Sequence, residues 1–68
     1  MKIKLTENKQ KQGEILGNGH HLGYWMFNEG LFIANFITSY WEHRELMQTA
    51  IGLTFTEMKW KIEKAVNS

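Results

Sequence analysis

The stretch NEGLFIANFITSYWEHRELMQTAI, residues 28–51, is the part of the chain from which we predict its class of fold. Apolar side chains recur in the i, i+3, i+4, i+7 pattern of one helical face, at Ile33, Phe36, Ile37, Tyr40, Trp41, Met47 and Ile51. Polar side chains fall on the other side of such a helix, at Asn35, Thr38, Glu42, Glu45 and Thr49. Gly52 follows directly and is a residue type that commonly ends a helix. We therefore predict one long helix over residues 28–51.

A second interpretation of this stretch stays open. Ser39-Tyr40-Trp41-Glu42 has the pattern of a capping box, which would start a helix at Ser39 instead. Residues 31–37 would then form a strand that closes a hairpin over Asn28-Glu29-Gly30. We favour the continuous helix because the apolar spacing keeps its phase across Ser39.

The residues after Gly52 predict a second, shorter helix. Thr54 is a good N-cap, and Glu57 three residues later completes a capping box. The apolar residues that follow fall on one helical face, at Phe55, Met58, Ile62, Ala65 and Val66. Because Gly52 and Leu53 alone connect the two predicted helices, we expect a helical hairpin at Gly52.

The first 27 residues predict short strands. Residues 2–6 (KIKLT) alternate polar and apolar side chains, as in a half-buried strand. Residues 14–16 are a second short strand, and the aromatic-rich residues 21–27 are a third. Gly17-Asn18-Gly19 is a tight-turn sequence because Asn and Gly tolerate positive φ. The expected fold is a single α+β domain over residues 1–68, with short N-terminal strands, a long helix and a short C-terminal helix.

Residues 51–62, IGLTFTEMKWKI, resemble the helix-turn-helix unit of Fis-type DNA-binding domains. In that unit a Gly makes the turn and a hydroxyl residue caps the second helix, which are the positions of Gly52 and Thr54 here. The resemblance implies a DNA-binding transcriptional regulator that uses residues 54–64 as its recognition helix. The side chains that would face DNA are Thr56, Lys59, Trp60 and Lys64.

The composition argues against catalysis and against metal or cofactor binding. The 68 residues include no Cys and no Asp, which excludes disulfides and Cys-based metal sites. His20, His21 and His43 do not have the spacing of a metal-binding motif. No nucleophile with a base and an orienting group is evident. We expect a protein that is not an enzyme and has no catalytic residues, cofactor or metal.

The charges predict a soluble, cytoplasmic protein. The net charge is +1, and only one of the eight basic residues is an Arg, so the signature of a dedicated nucleic-acid binder is weak. The longest uncharged piece of the apolar part, Gly30–Trp41, is shorter than the roughly 20 residues that a membrane-spanning helix needs. We therefore expect no association with a membrane.

The aromatic residues are the strongest indication of function. Nine of the 68 residues are Phe, Trp or Tyr. Trp60 lies off the apolar face of the last predicted helix, and a strand containing Tyr24-Trp25-Met26-Phe27 cannot direct all four side chains into one core. Arg44 lies within the apolar face of the long predicted helix. We predict Tyr24, Trp25, Arg44 and Trp60 as contacts to a partner.

The size and composition resemble those of small phage accessory proteins that act on host proteins. We accordingly expect a non-enzymatic regulatory or inhibitory protein that binds a macromolecular partner, either a protein or a second copy in a homodimer. The alternative is the DNA-binding regulator described above.

Overall fold

The computed structural model describes residues 1–8, 11–41 and 44–67 of the chain. It contains one antiparallel sheet of five strands, in the spatial order β1-β2-β3-β4-β5, and one helix. The strands are β1 (Ile3–Leu5), β2 (Gln12–Gly17), β3 (His20–Asn28), β4 (Leu31–Trp41) and β5 (Arg44–Gly52), and the helix is α1 (Phe55–Val66). Each strand is therefore paired with its neighbours in sequence.

The predicted long helix over residues 28–51 is wrong. This stretch forms β4 and β5, which pair with Asn35 opposite Thr49 and Ile33 opposite Ile51. No helix begins at Ser39, although the alternative strand over residues 31–37 is confirmed. The apolar spacing misled because β4 has apolar side chains on both faces, which removes the two-residue alternation of a half-buried strand.

The predicted helical hairpin at Gly52 is also wrong. Gly52 ends β5, and the chain passes through Leu53 and Thr54 directly into α1. The first helix of the hairpin is thus replaced by a strand. The α+β arrangement with a long helix is corrected to a five-stranded antiparallel sheet with one C-terminal helix.

The three N-terminal strands and the turn at Gly17-Asn18-Gly19 are confirmed. Asn18 and Gly19 have φ values of 51° and 84° and connect β2 to β3. Glu29 and Gly30, at 51° and 81°, connect β3 to β4 in the same way. Positive φ at both central residues is typical of two-residue hairpin turns whose twist matches that of the strands.

Helix α1 begins as the sequence predicts. Thr54 Oγ1 accepts a hydrogen bond of 3.0 Å from the Glu57 N–H. The Glu57 carboxylate accepts one of 3.1 Å from the Leu53 N–H, one residue earlier than in a standard capping box. Twelve residues make a helix about 18 Å long, which matches the width of five strands at about 4.8 Å spacing.

Helix α1 covers one face of the sheet, and the core lies between them. The buried apolar residues are Ile3, Ile15, Trp25, Ala34, Phe36, Ala50, Met58 and Ile62. Gly52 allows the start of the helix to lie close to the sheet, because a Cβ there would be 2.7 Å from the Met58 nitrogen. The predicted apolar side of the helix is confirmed by its two buried residues, Met58 and Ile62.

Candidate functional site

The face of the sheet that points away from α1 is the main candidate for a functional surface, and we call it the open face. Its side chains alternate along each strand with those that point toward the helix. Those of the four longer strands include Gln12, Glu14, Leu16, Tyr24, Met26, Ile33, Asn35, Ile37, Met47, Thr49 and Ile51. No other element of the described chain covers them, and Tyr24 is 65% exposed.

A polar row crosses the middle of the open face. The strand register places Glu14, Tyr24, Asn35 and Thr49 side by side on β2 to β5. The Thr49 hydroxyl donates a hydrogen bond of 2.7 Å to Asn35 Oδ1. Glu14 Oε2 lies 2.9 Å from His21 Nδ1, and the His21 ring meets the Tyr24 ring edge-on at 4.7 Å. Each side chain of the row thus has at least one contact within the molecule.

Apolar side chains lie on both sides of the polar row. On one side Met26, Ile33 and Ile51 are adjacent across β3, β4 and β5. On the other side Ile37 lies opposite Met47, which is 58% exposed. The open face thus combines uncovered apolar area with a central polar row.

A groove with a volume of about 430 Å³ opens on this face beside β2. Residues 6–8 form one wall, and Tyr24, Met26, Ile33 and Asn35 contribute to the lining. Residues 6–8 continue along β2 beyond β1, since the Thr6 N–H donates to the Glu14 carbonyl at 3.0 Å. The groove makes this part of the open face concave rather than flat.

The structure separates the predicted contact residues. Tyr24 lies on the open face, whereas Trp25 is only 2% exposed and belongs to the core. Trp25 Nε1–H donates a hydrogen bond of 2.7 Å to the Thr6 carbonyl, so its polar group is satisfied inside the molecule. Trp25 is therefore a core residue rather than a surface contact. Trp60 is 56% exposed but lies on α1, on the opposite side of the molecule, and the side chain of Arg44 lies outside the described residues.

The four residues predicted to face DNA all lie on α1. Thr56, Trp60 and Lys64 follow one another at four-residue intervals and are exposed, whereas Lys59 is half-buried. The Lys64 ammonium lies 4.9 Å from the centre of the Trp60 ring, a cation–π contact. This exposed line forms a second surface, which we call the α1 surface, and it shares no residue with the open face.

No cluster of three or more potential metal ligands occurs within the part of the chain that the structure describes, and His43 lies outside that part. The pair of Glu14 and His21 is exposed. In residues 1–8, 11–41 and 44–67, no helix has the length and apolar character required to cross a lipid bilayer.

Sequence reasoning missed most of the open face. Met26, Ile33, Asn35, Met47, Thr49 and Ile51 belong to it, and most of them fall in the stretch interpreted as a helix. Two alternating runs contained the signal: Ile33, Asn35 and Ile37 on β4, and Met47, Thr49 and Ile51 on β5. The hairpin sequence at Asn28-Glu29-Gly30 would have supported it.

Comparison of the chain with protein-family models, with curated protein sequences and with solved structures found no match.

Proposed function

We propose that this protein is a small, non-enzymatic regulatory or inhibitory protein that binds a protein partner through the open face of its sheet. The observation that carries the proposal is the uncovered apolar area of that face. Tyr24, Met26, Met47 and Ile51 are all exposed there, whereas Ile15, Trp25 and Phe36 on the other face are buried. Exposed apolar side chains grouped on one face are typical of interaction sites.

The chemistry of the open face favours protein over nucleic acid. Glu14 lies in its central row and Glu7 lines the groove, and these two carboxylates would repel phosphates. Lys4 is also on this face, but it lies on the edge strand β1, opposite Leu16 and away from the central row. The lysines of the C-terminal half, Lys59, Lys61 and Lys64, belong to α1 instead. Because binding to nucleic acid relies on neutralising phosphate charge, the open face is poorly suited to it.

DNA binding by the α1 surface is the competing function. It would need α1 to act without the preceding helix of a helix-turn-helix unit, because residues 44–52 form a strand. Of the residues on its exposed line, Thr56, Trp60 and Lys64, only Lys64 is a cation, and its ammonium already contacts the Trp60 ring. No observation favours this function over binding of a protein, and it serves as an alternative outcome of the experiment below.

The finer proposal concerns the partner. The small size and the composition of the chain resemble those of phage accessory proteins, which supports a host protein as the target and an inhibitor or adaptor as the role. The open face would bind the partner while α1 keeps the sheet folded behind it.

The experiment compares two exposed aromatic residues on opposite sides of the molecule. Tyr24→Glu places a charge on the open face, and Trp60→Glu places one on the α1 surface at similar exposure. Affinity-tagged forms of both variants and of the unsubstituted protein are used to capture proteins from host extract, followed by quantitative mass spectrometry. A protein captured by the unsubstituted chain is then purified and titrated.

We expect Tyr24→Glu to weaken binding by at least about 2 kcal/mol, roughly thirtyfold, and Trp60→Glu to leave it unchanged. Loss of binding in Trp60→Glu alone would move the site to the α1 surface. If neither variant changes binding, the open face is not the site. A shift of duplex DNA that weakens with salt and is lost in Lys64→Ala would support the DNA-binding alternative instead.

A further inference from the structure

The two edges of the sheet are unequal. β1 forms one edge with three residues, and residues 6–8 continue it irregularly along β2, whereas β5 forms the other edge as one regular strand of nine residues. A long edge strand presents a row of backbone N–H and C=O groups that can pair with another strand, and proteins usually shorten or block such edges. The edge formed by β5 is therefore the place where a further chain could join the sheet.

Two hydrogen bonds show which backbone groups of β5 point away from β4. Thr38 Oγ1 of β4 donates to the Leu46 carbonyl at 3.3 Å, so that this carbonyl faces β4. The Lys61 ammonium of α1 donates to the Ile51 carbonyl at 2.7 Å, so that this one faces outward. The N–H and C=O of one residue in a strand point to the same side, and those of the next residue point to the opposite side. The outward groups of β5 therefore belong to Met47, Thr49 and Ile51.

Over residues 46–52, the described chain leaves the outer edge of β5 almost unprotected. Among the described residues, the contact of Lys61 with the Ile51 carbonyl is the one hydrogen bond made to it. A carbonyl oxygen has two lone pairs, so even this group can accept a second hydrogen bond. The backbone groups of Met47 and Thr49 are directed outward with no covering element from the described chain.

We propose that β5 pairs with β5 of a second copy, antiparallel and about a two-fold axis at Thr49, to give a continuous ten-stranded sheet. In this register the two copies of Thr49 lie opposite each other and exchange both backbone hydrogen bonds. Met47 of each copy lies opposite Ile51 of the other, and these pairs exchange hydrogen bonds as well. Every outward group of the three residues thereby finds a partner.

The register is self-complementary in its side chains too. The row of Met26, Ile33 and Ile51 in one copy is followed across the new strand pair by Met47 and Ile37 of the second copy. Apolar side chains of the two copies therefore lie next to each other. The central polar row continues through the two copies of Thr49, and Thr–Thr pairs are favourable across antiparallel strands. A shift by one residue would place inward-pointing groups opposite outward ones and break this match.

The size of the edge sets the strength of the pairing. A nine-residue strand is about 30 Å long, and the molecule is 19 Å thick. The edge thus offers on the order of 500 Å² per copy, or roughly 1,000 Å² in total, near the lower limit for a specific interface. We expect a dimer that forms at micromolar to millimolar concentrations. The open face remains uncovered in it, so the pairing does not depend on the proposed function.

The test combines sedimentation with amide hydrogen exchange of the unsubstituted protein over a range of concentrations. The Met47, Thr49 and Ile51 amides should exchange more slowly as the dimer forms. The Gln48 and Ala50 amides, which face β4, should be protected at every concentration and serve as internal controls. Thr49→Pro removes the outward N–H of residue 49 and should therefore abolish the dimer. The variant should still fold, because proline is tolerated on the open side of an edge strand.

Thr49→Val is the matched control, because it loses the bond to Asn35 but keeps the backbone N–H; it should dimerise within about threefold of the unsubstituted protein. The proposal is overturned if the unsubstituted protein stays monomeric at millimolar concentration, or if the three outward amides exchange independently of concentration. A dimer that persists in a folded Thr49→Pro variant would also overturn it. Should that variant not fold, the exchange pattern of the unsubstituted protein decides alone.

Discussion

Tyr24 and Trp25 are neighbours in the chain, yet Tyr24 is largely exposed and Trp25 is buried against α1. The same contrast extends across the two faces of the sheet. The face toward α1 contains Ile15, Trp25 and Phe36, which are fully buried, while the open face presents Tyr24 and Met47 to solvent. A single twelve-residue helix covers one face and has no counterpart on the other. The buried apolar core therefore lies on one face, and the other face is left exposed.

The contrast between the buried face and the open face is tested most strongly by truncating Trp25 and Tyr24 in turn. Trp25→Ala removes ring contacts to Phe55 and Phe32, at 5.2 Å and 6.2 Å between centres, and the hydrogen bond to Thr6. We expect a loss of about 3–5 kcal/mol, which is most of the stability of so small a domain. Urea denaturation followed by circular dichroism measures it.

Tyr24→Ala is the control for that experiment, because it truncates a ring of similar size on the open face. We expect a change of about 0.5 kcal/mol or less in the free energy of unfolding. If Tyr24→Ala destabilised the protein as much as Trp25→Ala, both faces would contribute to the core and the contrast would be wrong.

A second substitution tests how α1 is held at the start of its covered face. Thr54→Ala removes the hydroxyl that accepts from the Glu57 N–H, and should cost about 1 kcal/mol. Thr56 is the second residue of the helix and is exposed, so Thr56→Ala should change the free energy of unfolding by about 0.5 kcal/mol or less. Equal effects of the two substitutions, measured by thermal unfolding, would show that the cap does not anchor the helix.

The smallest effect concerns the pH dependence of the same junction. The hydrogen bond from the Leu53 N–H, together with the hydrogen bond and charge of Lys61, lowers the pKa of Glu57 below its ordinary value of 4.5. A lowered pKa in the folded state means that the ionised carboxylate stabilises the fold. This stabilisation is complete above the ordinary pKa and is lost as the pH falls through the lowered one.

The measurement is the difference in Tm between the unsubstituted protein and Glu57→Gln across the acid range. We expect a difference near neutral pH that shrinks as the pH falls below 4.5. Glu63→Gln removes a carboxylate from the same helix without these contacts and is the control. A difference that stays constant with pH would show that the Glu57 charge does not stabilise the start of α1.

Local signals in the sequence were sufficient where short-range chemistry determines structure. Gly17-Asn18-Gly19 forms the predicted turn because Asn and Gly accept positive φ. Thr54 caps α1 because its hydroxyl reaches the N–H three residues later. Exposure of Trp60 was also predictable, since it lies off the apolar side of a helix whose period is clear.

Residues 28–51 could not be assigned from periodicity because their apolar pattern serves two faces. Phe32 and Phe36 point toward α1, while Ile33 and Ile37 point to the open face, and their combined spacing imitates a helix. The wrong assignment also hid the open face, because its residues come from four strands. Cross-strand neighbours such as Asn35 and Thr49 are 14 residues apart and meet only through register.

The division between the two sources of information follows from the range of the forces involved. Turns, caps and the amphipathic period of α1 depend on atoms within a few residues, so the order of amino acids was enough to predict them. The pairing of β4 with β5 depends on hydrogen bonds and packing between distant residues. Which face of the sheet α1 covers also depends on contacts between residues that are distant in the chain. The packing of α1 buries Trp25 and leaves Tyr24 exposed, and this difference between two adjacent residues arises only in the folded sheet.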